Sequence, residues 1–248
     1  MSRAVAWAWP AAGLAGLLLV WQAGVGWMAR DNALIASFGV APALRALLAL
    51  LQNSELWTHV ALSLRRVGLG LLAALALGVP LGLAAGLSPR FARATTPLFQ
   101  FLRMVSPLSW MPLAVMALGV GDAPVVFLLA FAAVWPLVLN TAAGVAALDP
   151  QWLQLARSLS ATRLELLTQV VLPGIAAHVL AGVRLAIGVL WIVLVPAEML
   201  GVSAGLGYLI LDARDRLAYS DLMALILLIG ALGWALDHAA RWLHARAG

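Results

Sequence analysis

The chain has 248 residues, of which 64% are hydrophobic and only 10% charged, and its mean hydropathy is +1.01. Soluble domains carry about a quarter charged residues, so an ordinary globular enzyme and a disordered chain are excluded, and with no cysteine so is a disulfide scaffold. The formal charge of +5 comes from scattered basic residues, a pattern of cationic loops beside a membrane and not of a nucleic-acid stripe.

Charge-poor runs of about 20 apolar residues mark membrane crossings. The first runs from Ala4 to Ala29; it is long for a signal-peptide core and has no clean small-x-small cleavage site before Arg30. Pro42 to Gln52 is too short to cross and reads as an interfacial helix lying on the membrane. The second crossing, about His59 to Leu87, sets Gly70, Ala74, Gly78, Gly82 and Gly86 on one face at four-residue spacing, which lets a neighbouring backbone come close. The third, Thr95 to Leu118, carries Arg103 with Pro97, Pro107 and Pro112; the fourth, Asp122 to Leu148, carries Pro124 and Pro136. Interior prolines bend such helices.

The fifth crossing, Gly174 to Leu200, has two faces. Ala177, Ala181, Arg184, Gly188, Trp191, Val195 and Glu198 share one stripe; Leu180, Val183, Ile187, Leu190 and Leu194 share the opposite one. The aliphatic stripe is expected to face lipid or the apolar bundle periphery, and the first stripe the interior or a central cavity. A mid-bilayer arginine needs compensation: Arg184 either lines a translocation route or makes an internal ion pair or carbonyl contact. Glu198 reads as a gate or packing group. The sixth crossing runs from about Asp221 to Trp242.

The expected fold is therefore an all-α integral membrane protein of six transmembrane helices, residues 1–248 forming one domain. With the N-terminus in the cytoplasm, Arg3, Arg90, Arg93, Arg157, Arg163, Arg241 and Arg246 lie inside and Arg30, Arg45, Arg214 and Arg216 outside. Arg65 and Arg66 near the outer end of the second crossing are expected to snorkel to the interface. The remaining polar residues in the spans are Gln100, Arg103, Asn140 and His178, the last read as a hydrogen-bonded packing residue.

No residues have metal-ligand or catalytic spacing. The run Gly201 to Gly207 resembles a phosphate loop only superficially and is expected to be a re-entrant turn or short helix, followed by the polar outer surface Asp212 to Arg216. The chain contains no lysine, which a P-loop requires. ATP and Mg, if used, must be bound by a partner subunit; no cofactor is expected here.

The segment from Asp149 to Leu172 is too polar to cross. Asp149-Pro150 is a helix start, and Trp152, Leu155, Ala156 and Leu159 recur at helical spacing. An apolar ridge on a wet face calls for a partner. The spacing of Gln154-Leu155-Ala156, Ser160 and Val170-Val171-Leu172-Pro173 resembles the E-A-A…G…I-x-L-P loop of permease subunits of binding-protein-dependent ABC importers. Gln154 stands for Glu and Ser160 for Gly. Ser106 to Leu113, Trp135 to Thr141, Ala197 to Met199 and Gly205 to Arg214 resemble the nitrate, taurine and alkanesulfonate branch of that family.

The resemblance implies a bacterial inner-membrane, multi-pass protein with both termini cytoplasmic. It implies a cytoplasmic ABC ATPase dimer, an outer substrate-binding protein and a second permease copy as partners, with membrane lipid around them and no nucleic acid. A cytoplasmic coupling helix between the fourth and fifth crossings would dock the ATPase through Gln151, Trp152, Gln154, Leu155, Ala156, Leu159, Ser160 and Arg163. Candidate pathway residues for a small anion are Trp110, Asn140, Arg184, Gly188, Trp191 and Glu198. The rival readings are an intramembrane enzyme, for which His178 lacks a partner group, and an ATP-independent channel or carrier, which would not need the loop helix.

Overall fold

The computed structural model of this chain describes residues 3–30 and 33–247; the outermost ends of 1–248 and the side chains of Arg3 and Arg246 lie outside the described set. Among the described residues every regular element is helical. The helices are α1 Arg3–Met28, α2 Val40–Leu51, α3 Ser54–Leu87, α4 Pro89–Met104, α5 Met111–Leu118, α6 Asp122–Ala146, α7 Pro150–Ser158, α8 Arg163–Gly201, α9 Leu206–Asp215 and α10 Tyr219–Ala247. Four of them, α3, α6, α8 and α10, are long and apolar enough to cross a membrane.

The third crossing expected from the sequence is not one straight helix. α4 and the segment Pro107–Leu118 meet at 89°. Ser106 precedes a proline, which pushes it out of the helical region, and Val105 and Ser106 are both extended (ψ 126° and 127°). Counted as one crossing, the bent pair makes a fifth. α1 is 26 residues long, with Ala15–Met28 as its shorter apolar part.

By contact the chain forms two units, Met1–His59 with Leu209–Ala231, and Val60–Tyr208 with Leu232–Gly248. In the first, the Trp21 indole donates to Phe38 O at 3.0 Å, Gln22 Oε1 accepts from Val40 N at 3.1 Å, and Phe38 stacks on Tyr219 at 4.8 Å. The α1 segment, α2 and the start of α10 are thereby tied together.

The second unit is built on α3, α6 and α8. A Cβ placed on Gly70 would lie 2.7 Å from that of Leu129; on Gly78, 2.8 Å from Leu137; on Gly82, 2.6 Å from Thr141; on Gly86, 2.5 Å from Val145. The partners recur at the same four-residue spacing as the glycines, so α3 and α6 run parallel in backbone contact, as the small-residue face predicts. On the other side of α6, α8 packs antiparallel, with Gly144 against His178 and Ile175, and Gly182 against Asn140 and Pro136.

That packing corrects the reading of the fifth crossing. Leu190 and Leu194 of the aliphatic stripe are fully buried with Leu128, Leu129, Leu137 and Ala186. They face α6 and not the periphery, because in an apolar solvent close van der Waals packing decides which face is inside. His178 packs on Gly144, but its Nδ1 has no hydrogen-bond partner among the described residues, contrary to the expectation.

Candidate functional site

α7 is the helix expected in the polar loop. Asp149 caps it, its Oδ1 accepting from Gln151 N at 2.9 Å, with Pro150 in the first turn. Leu153 anchors one face on the cluster of Val145, Val171 and Ile175. Trp152, Leu155 and Leu159 stand out from it, 62%, 51% and 75% exposed. Gln151, Gln154 and Arg163 are exposed and Ala156 half-buried.

Ser160 ends the helix at φ +60°, the left-handed conformation that glycine adopts freely. Ser160 N donates to Arg157 O and Ala161 N to Ala156 O, both at 3.0 Å, the pair of bonds that closes a helix through a left-handed residue. Thr162 and Glu165 then cap the start of α8 reciprocally. The turn is fixed at both ends, so the ridge of α7 is held in a defined direction relative to α8. Leu166–Val171 within α8 is a π-helical turn.

At the opposite end of this unit lies a buried ionic cluster. Arg66 is not at an interface as expected; its side chain is 3% exposed. Its Nη1 donates to Glu198 Oε1 at 2.6 Å and Ala204 O at 2.7 Å; Nε and Nη2 both reach Asp122 Oδ1, at 2.8 and 2.6 Å. Ser63 Oγ lies 2.8 and 2.9 Å from the two Glu198 oxygens and accepts from Leu206 N at 2.9 Å; Gly207 N donates to Glu198 Oε2 at 2.9 Å. α3, α6, α8 and the start of α9 thus meet on one arginine and two carboxylates. A Cβ on Gly205 (φ +127°) would sit 2.6 Å from Arg66 Nη1 and from Glu198 Oε1, so only glycine fits over the pair. Arg65 is exposed, 4.0 Å from Asp122.

The six pathway candidates are not brought together. Arg184 pairs with Asp237 (Nε to Oδ1, 3.3 Å) and Asp237 also with Arg241 at 3.2 Å; with Gly188 it lines a shallow recess. Glu198 belongs to the buried cluster. Trp191 packs on Gly233. Asn140 donates from Nδ2 to Pro136 O at 2.8 Å and lines a separate cavity. Trp110 stacks near Phe131, its Nε1 buried without a hydrogen-bond partner among the described residues. No cluster of metal-ligating side chains occurs among the described residues.

Five arginines fall within the crossings as the sequence bounds them, Arg65, Arg66, Arg103, Arg184 and Arg241. An arginine at mid-bilayer costs about 2.5–3.5 kcal/mol to insert. Arg65, Arg66, Arg184 and Arg241 each have a carboxylate within 4.0 Å. Arg103, in the last turn of α4, gains only about 0.3–1 kcal/mol from the helix dipole and has no hydrogen-bond or ion-pair partner among the described residues. Sequence reasoning missed the Arg66 cluster, although opposite charges at one level of an apolar bundle are themselves a signal that they must meet.

This arrangement of apolar helices, a projecting loop helix and no nucleotide-binding motif is that of a membrane transport subunit. Residues 78–247 match the family described as the binding-protein-dependent transport system inner membrane component, and the chain belongs to that family. It is 33% identical to the taurine transport system permease protein TauC of Escherichia coli, over 99% of this chain and 93% of that protein. It is 36% identical to the bicarbonate transport system permease protein CmpB of Synechococcus elongatus, and 34% to the nitrate import permease protein NrtB of Leptolyngbya laminosa, over 78% of this chain and 69% and 70% of those proteins. In fold it resembles the MetNI methionine ABC transporter in an inward-facing form (TM-score 0.67, 13% identity, 78% of this chain and 96% of that one). A bacterial alginate ABC transporter gives the same TM-score and identity over 98% and 96%.

Proposed function

We propose that this chain is the permease subunit of an ABC importer for a small oxyanion or sulfonate, driven by a separate ATPase. The single observation that carries the ATPase coupling is the ridge of α7. Trp152 and Leu155 on α7 and Leu159 at its C-terminal cap are exposed, and the direction of the helix is fixed by a capped turn at each end, which is what a mechanical coupling to a soluble partner needs. The chain's lack of lysine agrees with hydrolysis elsewhere. The substrate class rests on the taurine, bicarbonate and nitrate permeases among the relatives.

In this reading α1 and the bent α4–α5 pair complete six crossings, both termini are cytoplasmic, and α7 faces the ATPase dimer. The Arg66 cluster and α9 then face the substrate-binding protein, and a second copy of the chain completes the pathway. Closure of the ATPase dimer moves the two α7 ridges together and opens the permease outward; Arg184 and Gly188 lie along the route.

Affinity-tagged chain, co-expressed with its ATPase, should co-purify with it stoichiometrically. Trp152→Ala should reduce the recovered ATPase about tenfold or more, the scale of a hot-spot aromatic. Full recovery with that variant would remove α7 as the docking element.

A further inference from the structure

Two cavities, of about 310 and 450 Å³, share Arg103, Trp135 and Leu139 as walls. Either has room for a nitrate- or sulfonate-sized anion with water. The first runs between α3, α4 and α6 from Gly86 and Ala146; the second lies against α6 and α8 and is lined by Val105 and Pro107, the break between α4 and α5. Irregular backbone at membrane depth is tolerated where it borders a wet cavity.

Three N–H-bearing side chains around the shared wall have no acceptor among the described residues, whereas Thr96 and Asn140, which also line the cavities, donate to Ala92 O and Pro136 O. Arg103 and Gln100 are exposed on the cavity rim and have no hydrogen-bond partner among the described residues. Trp135 is 8% exposed, its Nε1 buried and without a partner, while its ring is held by Phe99 and Phe131 at 5.8 and 5.6 Å. No carboxylate lines either cavity. The other arginines of the crossings, Arg65, Arg66, Arg184 and Arg241, each lie within 4.0 Å of a carboxylate; Arg103 does not.

The geometry points to Arg103, with Gln100 and the Trp135 indole, as the anion-binding station of the translocation route. This deepens the proposed function and rests on its substrate class. The guanidinium supplies the charge, the amide and indole the directed hydrogen bonds, and the α4–α5 break the opening between the two cavities.

The test is ATP-driven uptake of nitrate, taurine and bicarbonate, each measured singly, by the complex with its ATPase and binding protein in proteoliposomes. Arg103→Gln should lower uptake about ten- to a hundredfold, the range for losing a hydrogen bond to a charged group, and Arg103→Lys less. Trp135→Phe, which keeps the ring and removes only the N–H, should lower it several-fold. Binding-protein-stimulated ATP hydrolysis should persist in all three. Unchanged uptake by Arg103→Gln overturns the proposal, and a fall in co-purifying anionic phospholipid beside it assigns the arginine to a lipid headgroup instead. Joint loss of uptake and hydrolysis in both Arg103→Gln and Trp135→Phe makes the role structural and overturns it too. A wild-type complex that hydrolyses ATP yet takes up none of the three anions overturns the substrate class itself.

Discussion

At Arg66 the balance of charge burial can be measured directly. The residue and Glu198 are both essentially dry, and breaking such a pair from one side costs about 3–5 kcal/mol, because the remaining ion keeps its desolvation penalty. Arg66→Met should lower the thermal unfolding temperature of the detergent-purified protein sharply. The double variant Arg66→Met with Glu198→Leu should recover part of that loss, since no ion is then left alone; a double variant less stable than Arg66→Met would show that the bonds to Ser63 and Gly207 matter more than the charge. The sequence did show both residues as anomalies in apolar runs. It did not show that they meet, since they are 132 positions apart and only the packing of α3 on α8 joins them. Ser160 is the opposite case. Its neighbourhood is local: it stands where the resembled loop has glycine, and its backbone adopts the φ > 0 that glycine takes freely.

Among the elements, α3, α7 and the existence of α8 were legible, while the bend between α4 and α5 and the buried face of α8 were not. The four-residue glycine spacing needs only helical geometry to become a contact face, and Asp149-Pro150 only local capping. Gly82→Val should therefore overpack the α3–α6 contact, where the added Cβ would already lie 2.6 Å from that of Thr141. A loss of about 1–3 kcal/mol is expected, read as a lower yield of monodisperse protein and a lower unfolding temperature; a stable, normally expressed variant would show that the helices separate easily. The α8 stripe misled because periodicity identifies two faces without saying which one meets a neighbour. The sharp α4–α5 bend depends on Ser106 preceding Pro107, a signal visible in the sequence but overridden there by the continuity of the apolar run.

For the whole molecule, the two ends of the Val60–Tyr208 unit are stiffened by different means. One end has the capped turns around α7, the other an ionic cluster joining four helices. Between them α6 is flanked by α3 and α8 through glycine contacts. Movement transmitted from the α7 end is therefore expected to pass through the unit as a rigid body, with the α4–α5 break as the place where the backbone can bend.

The ladder between α3 and α6 has a further consequence. A repeat of four residues on both strands of the contact fits itself again after sliding by one helical turn, so the glycines provide a rail but no stop. Arg66 stands one four-residue step before Gly70 on the same face, but its partner Asp122 lies off the partner register, and that grip is the pin that selects one notch. The native chain has no cysteine, so paired cysteines report the notch without background: Ala74→Cys with Ala133→Cys should cross-link in the native chain. Once Arg66 is replaced by Met, Ala74→Cys should begin to capture Leu137→Cys, one turn along; if it never does, side-chain fit alone holds the rail in place.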